Sequence, residues 1–122
     1  ILGLGGLELS AGHAADTAKV ISRISPRYMG ALTLMVVPGT PVHEWIEKME
    51  FEIPDQAGIL TELETMIGNI EVEREMVFRT NHASNYLPLK GTLPGDKARM
   101  LELISRAKSG RIALRSEKMR GL

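Results

Sequence analysis

Apolar and polar positions alternate along this chain in short solid runs and helix-spaced stripes. Residues 1–6, Ile-Leu-Gly-Leu-Gly-Gly, read as the end of a buried strand entering a glycine turn. Ser10 is placed to cap a helix over residues 11–24, with Ala14, Ala15, Ala18, Val20, Ile21 and Ile24 as a small-residue face suited to close packing on a sheet. Ser25-Pro26 ends it. Residues 28–37 are almost continuously apolar, as in a strand covered on both faces, and Pro38-Gly39-Thr40-Pro41 stops that strand. A short helix follows over residues 42–49. Asp55 then caps a helix from residue 56 to about 67, with Ile59, Leu60, Leu63, Met66 and Ile67 at helical spacing. Val72, Met76 and Phe78 suggest a strand within residues 71–79, and residues 81–92 read as irregular. Pro94 suits the first turn of a helix over residues 95–108, with Met100, Leu101, Leu103, Ile104 and Ala107 inward. Residues 110–122 form a basic, loosely held tail.

Strand and helix therefore alternate. That order predicts an α/β fold with parallel strands and covering helices. Ligands of such sheets bind beyond the carboxyl ends of the strands. Residues 3–8, 38–41 and 81–86 would then share one rim.

Composition narrows the function classes. The 122 residues are 43% hydrophobic and 25% charged, which fits one globular domain. Lys plus Arg and Asp plus Glu each number 15, so the whole surface is not a nucleic-acid magnet. The charges are nonetheless unevenly placed. Residues 44–75 hold ten acids against Lys48 and Arg74, and residues 97–120 hold eight bases against Glu102 and Glu117. The basic end is either a solvated face or a contact for phosphate or an acidic surface. No cysteine is present, so this chain offers no thiol nucleophile, thiolate zinc site or iron–sulfur ligand. No apolar run approaches a membrane span and no signal peptide is visible, so a cytoplasmic protein is expected.

The candidate chemistry lies in the loops. Gly3-Leu4-Gly5-Gly6 resembles part of a dinucleotide fingerprint, but Glu8 stands where its third glycine would fall. The other readings are a tight turn that needs glycine for sterics, or backbone N–H groups approaching a nucleotide or carboxylate. Residues 81–86, Asn-His-Ala-Ser-Asn-Tyr, crowd hydrogen-bonding side chains after an apolar strand. They are either a functional loop or a network that satisfies its own backbone. His82 with Ser84 makes a poor nucleophilic pair, because no elbow motif surrounds Ser84. His13, His43 and His82 lack metal-ligand spacing, and His13 is expected to bond locally to Asp16. The seven methionines read as gap-filling core, and Trp45 as an anchor for its short helix.

Taken together, ILGLGG, the alanine-rich helix and residues 31–41, ALTLMVVPGTP, resemble the later strands of a radical S-adenosylmethionine (SAM) enzyme barrel. The likeness is greatest to its Elongator-catalytic-subunit-like, coproporphyrinogen-oxidase-like and methylthiotransferase-like branches. FRTNHASNYLPL over residues 78–89, followed by KGTLPGDK, resembles the closing segment of one subgroup. The resemblance spans residues 1–109 and implies the C-terminal portion of a partial (β/α)6 TIM-like barrel, with residues 110–122 as a basic C-terminal tail. It implies that Gly3, Leu4, Gly5 and Gly6, with Glu8, contact the adenine side of S-adenosylmethionine. It implies that Thr40, Asn81, His82, Ser84 and Asn85 face the substrate or lock the closing segment. A 4Fe–4S cluster would be carried by a CxxxCxxC loop that this chain lacks, so the missing N-terminal half of the barrel would be the partner and this piece would be inactive alone. The substrate class is open between a small molecule and RNA, since some related enzymes modify transfer RNA. The aromatic content of 4% disfavours an RNA stacking platform. An unpaired sheet edge predicts homo-oligomers of the fragment. The alternative is a stand-alone α/β module that binds a ligand or partner without catalysis.

Overall fold

The computed structural model describes residues 1–122. The chain opens with Leu2 paired in parallel to Thr33: the Leu2 N–H donates to the Leu32 carbonyl at 2.7 Å, and the Leu34 N–H to the Leu2 carbonyl at 2.9 Å. Helix α1, Gly6–Ile24, connects these two stretches. It starts five residues before the expected position at residue 11, at the glycine turn itself. Ser10 therefore sits inside the helix and caps nothing. Ala14 and Ala18 are fully buried where α1 meets α3, the helix Gln56–Asn69, and their small side chains allow the close approach. Ser25, in the left-handed region at φ 46°, closes α1 before Pro26.

Strand β1, Tyr28–Gly30, is much shorter than its apolar run. Residues 31–34 stay extended, but they exchange ladder bonds with Leu2 and then with side chains. Helix α2, Pro41–Glu47, is capped by Thr40, with Pro41 at its first turn. In α3 the Asp55 carboxylate accepts from the Gly58 N–H at 2.8 Å, the cap expected from sequence. Strand β2, Met76–Arg79, runs parallel to β1 with Met29 opposite Phe78.

The expected all-parallel order fails at the last strand. Lys90–Leu93 forms β3, antiparallel to β2, with Phe78 opposite Gly91 and Arg79 opposite Lys90. Residues 81–92 were expected to be irregular, and Lys90 and Gly91 are indeed poor strand formers. Tertiary packing overrides that preference. A Cβ on Gly91 would lie 2.9 Å from both the Asp96 Cβ and the Met100 Sδ, so only glycine lets helix α4, Lys97–Lys108, sit on the strand. The fold is thus α/β with a mixed sheet in the order β1-β2-β3, and Leu2 adds a single rung outside β1.

All the long helices lie on one face of this sheet. Ala31, Thr33, Met76, Phe78, Thr80, Gly91 and Leu93 point toward them and are buried. Burying a side chain such as Phe78 contributes about 1.5–3 kcal/mol. The alternate residues, Tyr28, Gly30, Leu32, Val77, Arg79, Lys90 and Thr92, form the other face, which no helix covers; Tyr28 is 75% exposed. No helix is long and apolar enough to cross a membrane.

Candidate functional site

Parallel pairing brings the ends of the Leu2 stretch, β1 and β2 to one rim of the sheet. The last ladder bond between β1 and β2 runs from the Ala31 N–H to the Arg79 carbonyl at 3.0 Å. Beyond it Asn85 takes over. Its Nδ2 donates to the Ala31 carbonyl at 2.9 Å and the Thr80 carbonyl at 3.1 Å, and its Oδ1 accepts from Thr33 Oγ1 at 2.9 Å. One buried amide therefore joins both strand ends where the backbones diverge. Thr80 Oγ1 accepts from the Leu89 N–H and donates to the Leu87 carbonyl, each at 2.7 Å, closing the same loop. Ser84 Oγ accepts from the Thr33 N–H at 3.2 Å.

His82 sits at the mouth of this network. Its Nδ1 accepts from the Ser84 N–H at 3.2 Å and lies 3.0 Å from Ser84 Oγ. Nδ1 therefore faces into the loop, and Nε2 has no protein partner. Ser84 is 1% exposed, so its hydroxyl fastens the loop and is closed to attack on a substrate. Ser84 and Asn85 take the locking role. His82 and Asn81 remain on the surface of the rim.

The tail is far from loose. Arg115 Nη1 donates to the carbonyls of His82, Ala83 and Asn85, at 3.0, 3.0 and 2.7 Å. Arg120 Nε donates to the Ser84 carbonyl at 2.7 Å, its Nη2 to the Leu34 carbonyl at 3.2 Å, and its Nη1 to Tyr86 and Glu117. The guanidinium carbon also lies 4.0 Å from the centre of the Tyr86 ring. Burial, followed by its hydrogen bond to the Glu117 carboxylate, pushes the Tyr86 phenol up to about 12. The hydrogen bond from Arg120 holds the Glu117 carboxyl below its ordinary range. Much of the basic end is thus engaged inside the chain, as Lys97 to the Gly68 carbonyl and Lys108 to Glu64 also show.

The glycine turn is organised by one of the ten acids of residues 44–75. Glu62, 2% exposed, accepts from the Gly3 N–H at 3.0 Å, Ser10 Oγ at 2.6 Å and His13 Nδ1 at 2.9 Å. Three donors converging on two oxygens are what a carboxylate, which only accepts, satisfies. His13 therefore bonds to Glu62, 49 residues away, and Asp16 pairs instead with Lys19. The glycines are explained by packing: an added Cβ would come within 3.0 Å of Ile59 at Gly3, of His13 at Gly5 and of Phe51 at Gly6. Outside this turn, Leu4 is 51% exposed beside a groove of about 360 Å³ shared with Glu8 and Met49. The Leu4 and Gly5 N–H groups donate to no protein atom.

The chain matches no protein-family model, no curated protein and no solved structure.

Of the residues expected at the rim, Ser84 and Asn85 are joined to Thr33, which pairs with Leu2, the neighbour of Gly3. Thr40 stands apart; its hydroxyl donates to the Val37 carbonyl at 2.7 Å and caps α2. Glu62, Thr33, Thr80 and Arg120 were missed. Only Glu62 carried a usable signal, since it falls three residues after Ile59 and four before Met66, inside the apolar stripe of α3. The groove beside Leu4 combines an exposed apolar side chain with the unengaged N–H groups of Leu4 and Gly5. No group of His, Asp and Glu side chains is placed to hold a metal, and a cluster has no ligands in this chain.

Proposed function

We propose that this chain is the C-terminal part of a radical S-adenosylmethionine barrel. It would contribute the adenine side of the cofactor site and the rim that faces the substrate. The observation that carries the proposal is the one-sided sheet. Strand ends converge on one rim, the outer face is fully packed by helices, and the inner face is left for other strands to enclose. The groove beside Leu4 supports an adenine contact, and the exposed His82 with its unpartnered Nε2 supports a hydrogen bond to substrate. Antiparallel β3 would close the sheet beside β2, with the remaining strands joining at the Leu2 edge. A 4Fe–4S cluster held by the missing N-terminal half would supply reductive cleavage of the cofactor to a 5′-deoxyadenosyl radical. This chain's part is to orient the cofactor and keep water away.

The test is the coding sequence in frame ahead of Ile1, followed by anaerobic reconstitution of the protein it encodes. A CxxxCxxC loop and release of 5′-deoxyadenosine are expected. A frame without cysteines, or a reconstituted protein that leaves the cofactor intact, would overturn the proposal. The second reading is a stand-alone ligand- or partner-binding module. It is favoured by the single core, in which Phe78, Ile67, Leu93 and Ile104 are fully buried without any help from another chain.

A further inference from the structure

The uncovered face of the sheet carries a charge arrangement that folding does not explain. The strand registers align Gly30, Arg79 and Lys90 in one row across β1, β2 and β3. Arg79 and Lys90 are directly opposed on antiparallel neighbours, where like charges destabilise a sheet. Neither takes part in an ion pair. Arg79 Nη1 donates to the Phe78 carbonyl at 2.8 Å and the Gly91 carbonyl at 3.2 Å. That lays the guanidinium along the sheet and half-buries it, while Nε and Nη2 keep no protein acceptor. At the third place in the row, a Cβ on Gly30 would meet nothing within 4 Å. The result is a bare patch of backbone beside two unpaired cations. The neighbouring row, Tyr28, Val77 and Thr92, flanks it with one aromatic ring and one hydroxyl. The carboxylates nearby are otherwise placed. Glu75 lies at the far end of β2 in a cleft with Arg27 and Arg74, and Asp96 is bonded to Arg99 and the Thr92 N–H beside α4.

We propose that this row binds the phosphate monoester group of a small molecule. The free edge of Arg79 offers a two-pronged donor set, the Lys90 ammonium adds a third contact, and Gly30 leaves room for the group to reach the backbone. A phosphate monoester carries roughly −1.5 to −2 charges near neutral pH and offsets both cations; a carboxylate offsets one. The site goes beyond the barrel proposal and does not rest on it, because its test involves neither S-adenosylmethionine nor a cluster.

The experiment is an NMR titration of the chain with inorganic phosphate at constant ionic strength, with acetate as the control. Saturable shifts are expected at the Arg79 Nε–H and at the Gly30 and Gly91 amides, with no saturation by acetate. Lys90→Gln should weaken phosphate binding by about tenfold, the loss of one charge-assisted contact. Because Lys90 is exposed, its variants are expected to keep the fold, which the dispersion of the amide spectrum checks. Lys90→Glu gives an independent arm: it should raise Tm without phosphate, by relieving the like-charge pair, and abolish the rise in Tm that phosphate produces in the parent. Equal responses to phosphate and acetate, unchanged affinity in Lys90→Gln, or shifts centred on Arg27 and Arg74 would each overturn the proposal.

Discussion

Replacing Glu62 by leucine removes an acceptor and leaves three donors in place. The Gly3 N–H cannot turn away, since Gly3 is fixed at φ 81° between Leu2 and α1. Orphaning it costs about 1–3 kcal/mol. Ser10 and His13 are only partly buried and can turn to water, so each loses about 0.5–1 kcal/mol. The expected sum for Glu62→Leu is about 3 kcal/mol, lowering Tm by about 10–15 °C in a chain of this size. Glu62→Gln keeps the oxygen that serves Gly3 and His13, and the Ser10 hydroxyl can rotate to accept from the new amide. Its expected cost is about 1 kcal/mol. Circular-dichroism melts and urea titrations with unchanged m-value measure both. A leucine variant within about 1 kcal/mol of the parent would refute the reasoning, because buried polar groups are sometimes replaced by apolar ones without loss. Equal damage from both variants would show that charge, and not acceptor geometry, holds the turn.

Other expectations follow from the rim. Asn85→Asp exchanges two donations to carbonyl oxygens for a carboxylate facing them, so a loss of more than about 3 kcal/mol is expected in the same melts. Arg120→Ala should raise amide exchange across residues 82–86 much more than in α3, because it frees the Ser84 and Leu34 carbonyls; uniform acceleration would mean that the tail supports the whole domain. The Tyr86 phenol is higher in the folded chain than its usual value near 10, so its contribution to stability is present below that value and is lost as pH rises toward about 12. Tyr86→Phe should flatten that stretch of the alkaline stability profile; an unaltered profile counts against the Tyr86–Glu117 contact. Light scattering should show concentration-dependent association through the open Leu2 edge, and a monomer at all concentrations would contradict it.

The helices were largely legible because their signals are local. Asp55 caps the helix its spacing assigned to it, and the stripe of Ile59, Leu60, Leu63, Met66 and Ile67 faces the core. The α1 start was misplaced because Ser10 resembles a cap, while its hydroxyl bonds 52 residues away. Long-range pairing hid the rest. Nothing near Lys90 announces a strand; its ladder is dictated by Phe78 and by the clearance at Gly91. The loop at residues 81–86 was noticed for its polar side chains, but its division of labour depends on Thr33 and Thr80, which look ordinary in the sequence. The expected contact of Gly5 with a cofactor is likewise better tested elsewhere. Its missing Cβ already makes way for His13, so Gly5→Val disturbs α1 with or without a ligand, whereas Leu4→Glu alters only the exposed side of the turn.

The clasp formed by Arg120 also sets an order of events. It reaches the Leu34 carbonyl across 86 positions of sequence and the Ser84 carbonyl across 36. The two strand ends can meet through Asn85 before Arg120 docks, so the rim is the last part of the fold to be fastened and the first to come undone.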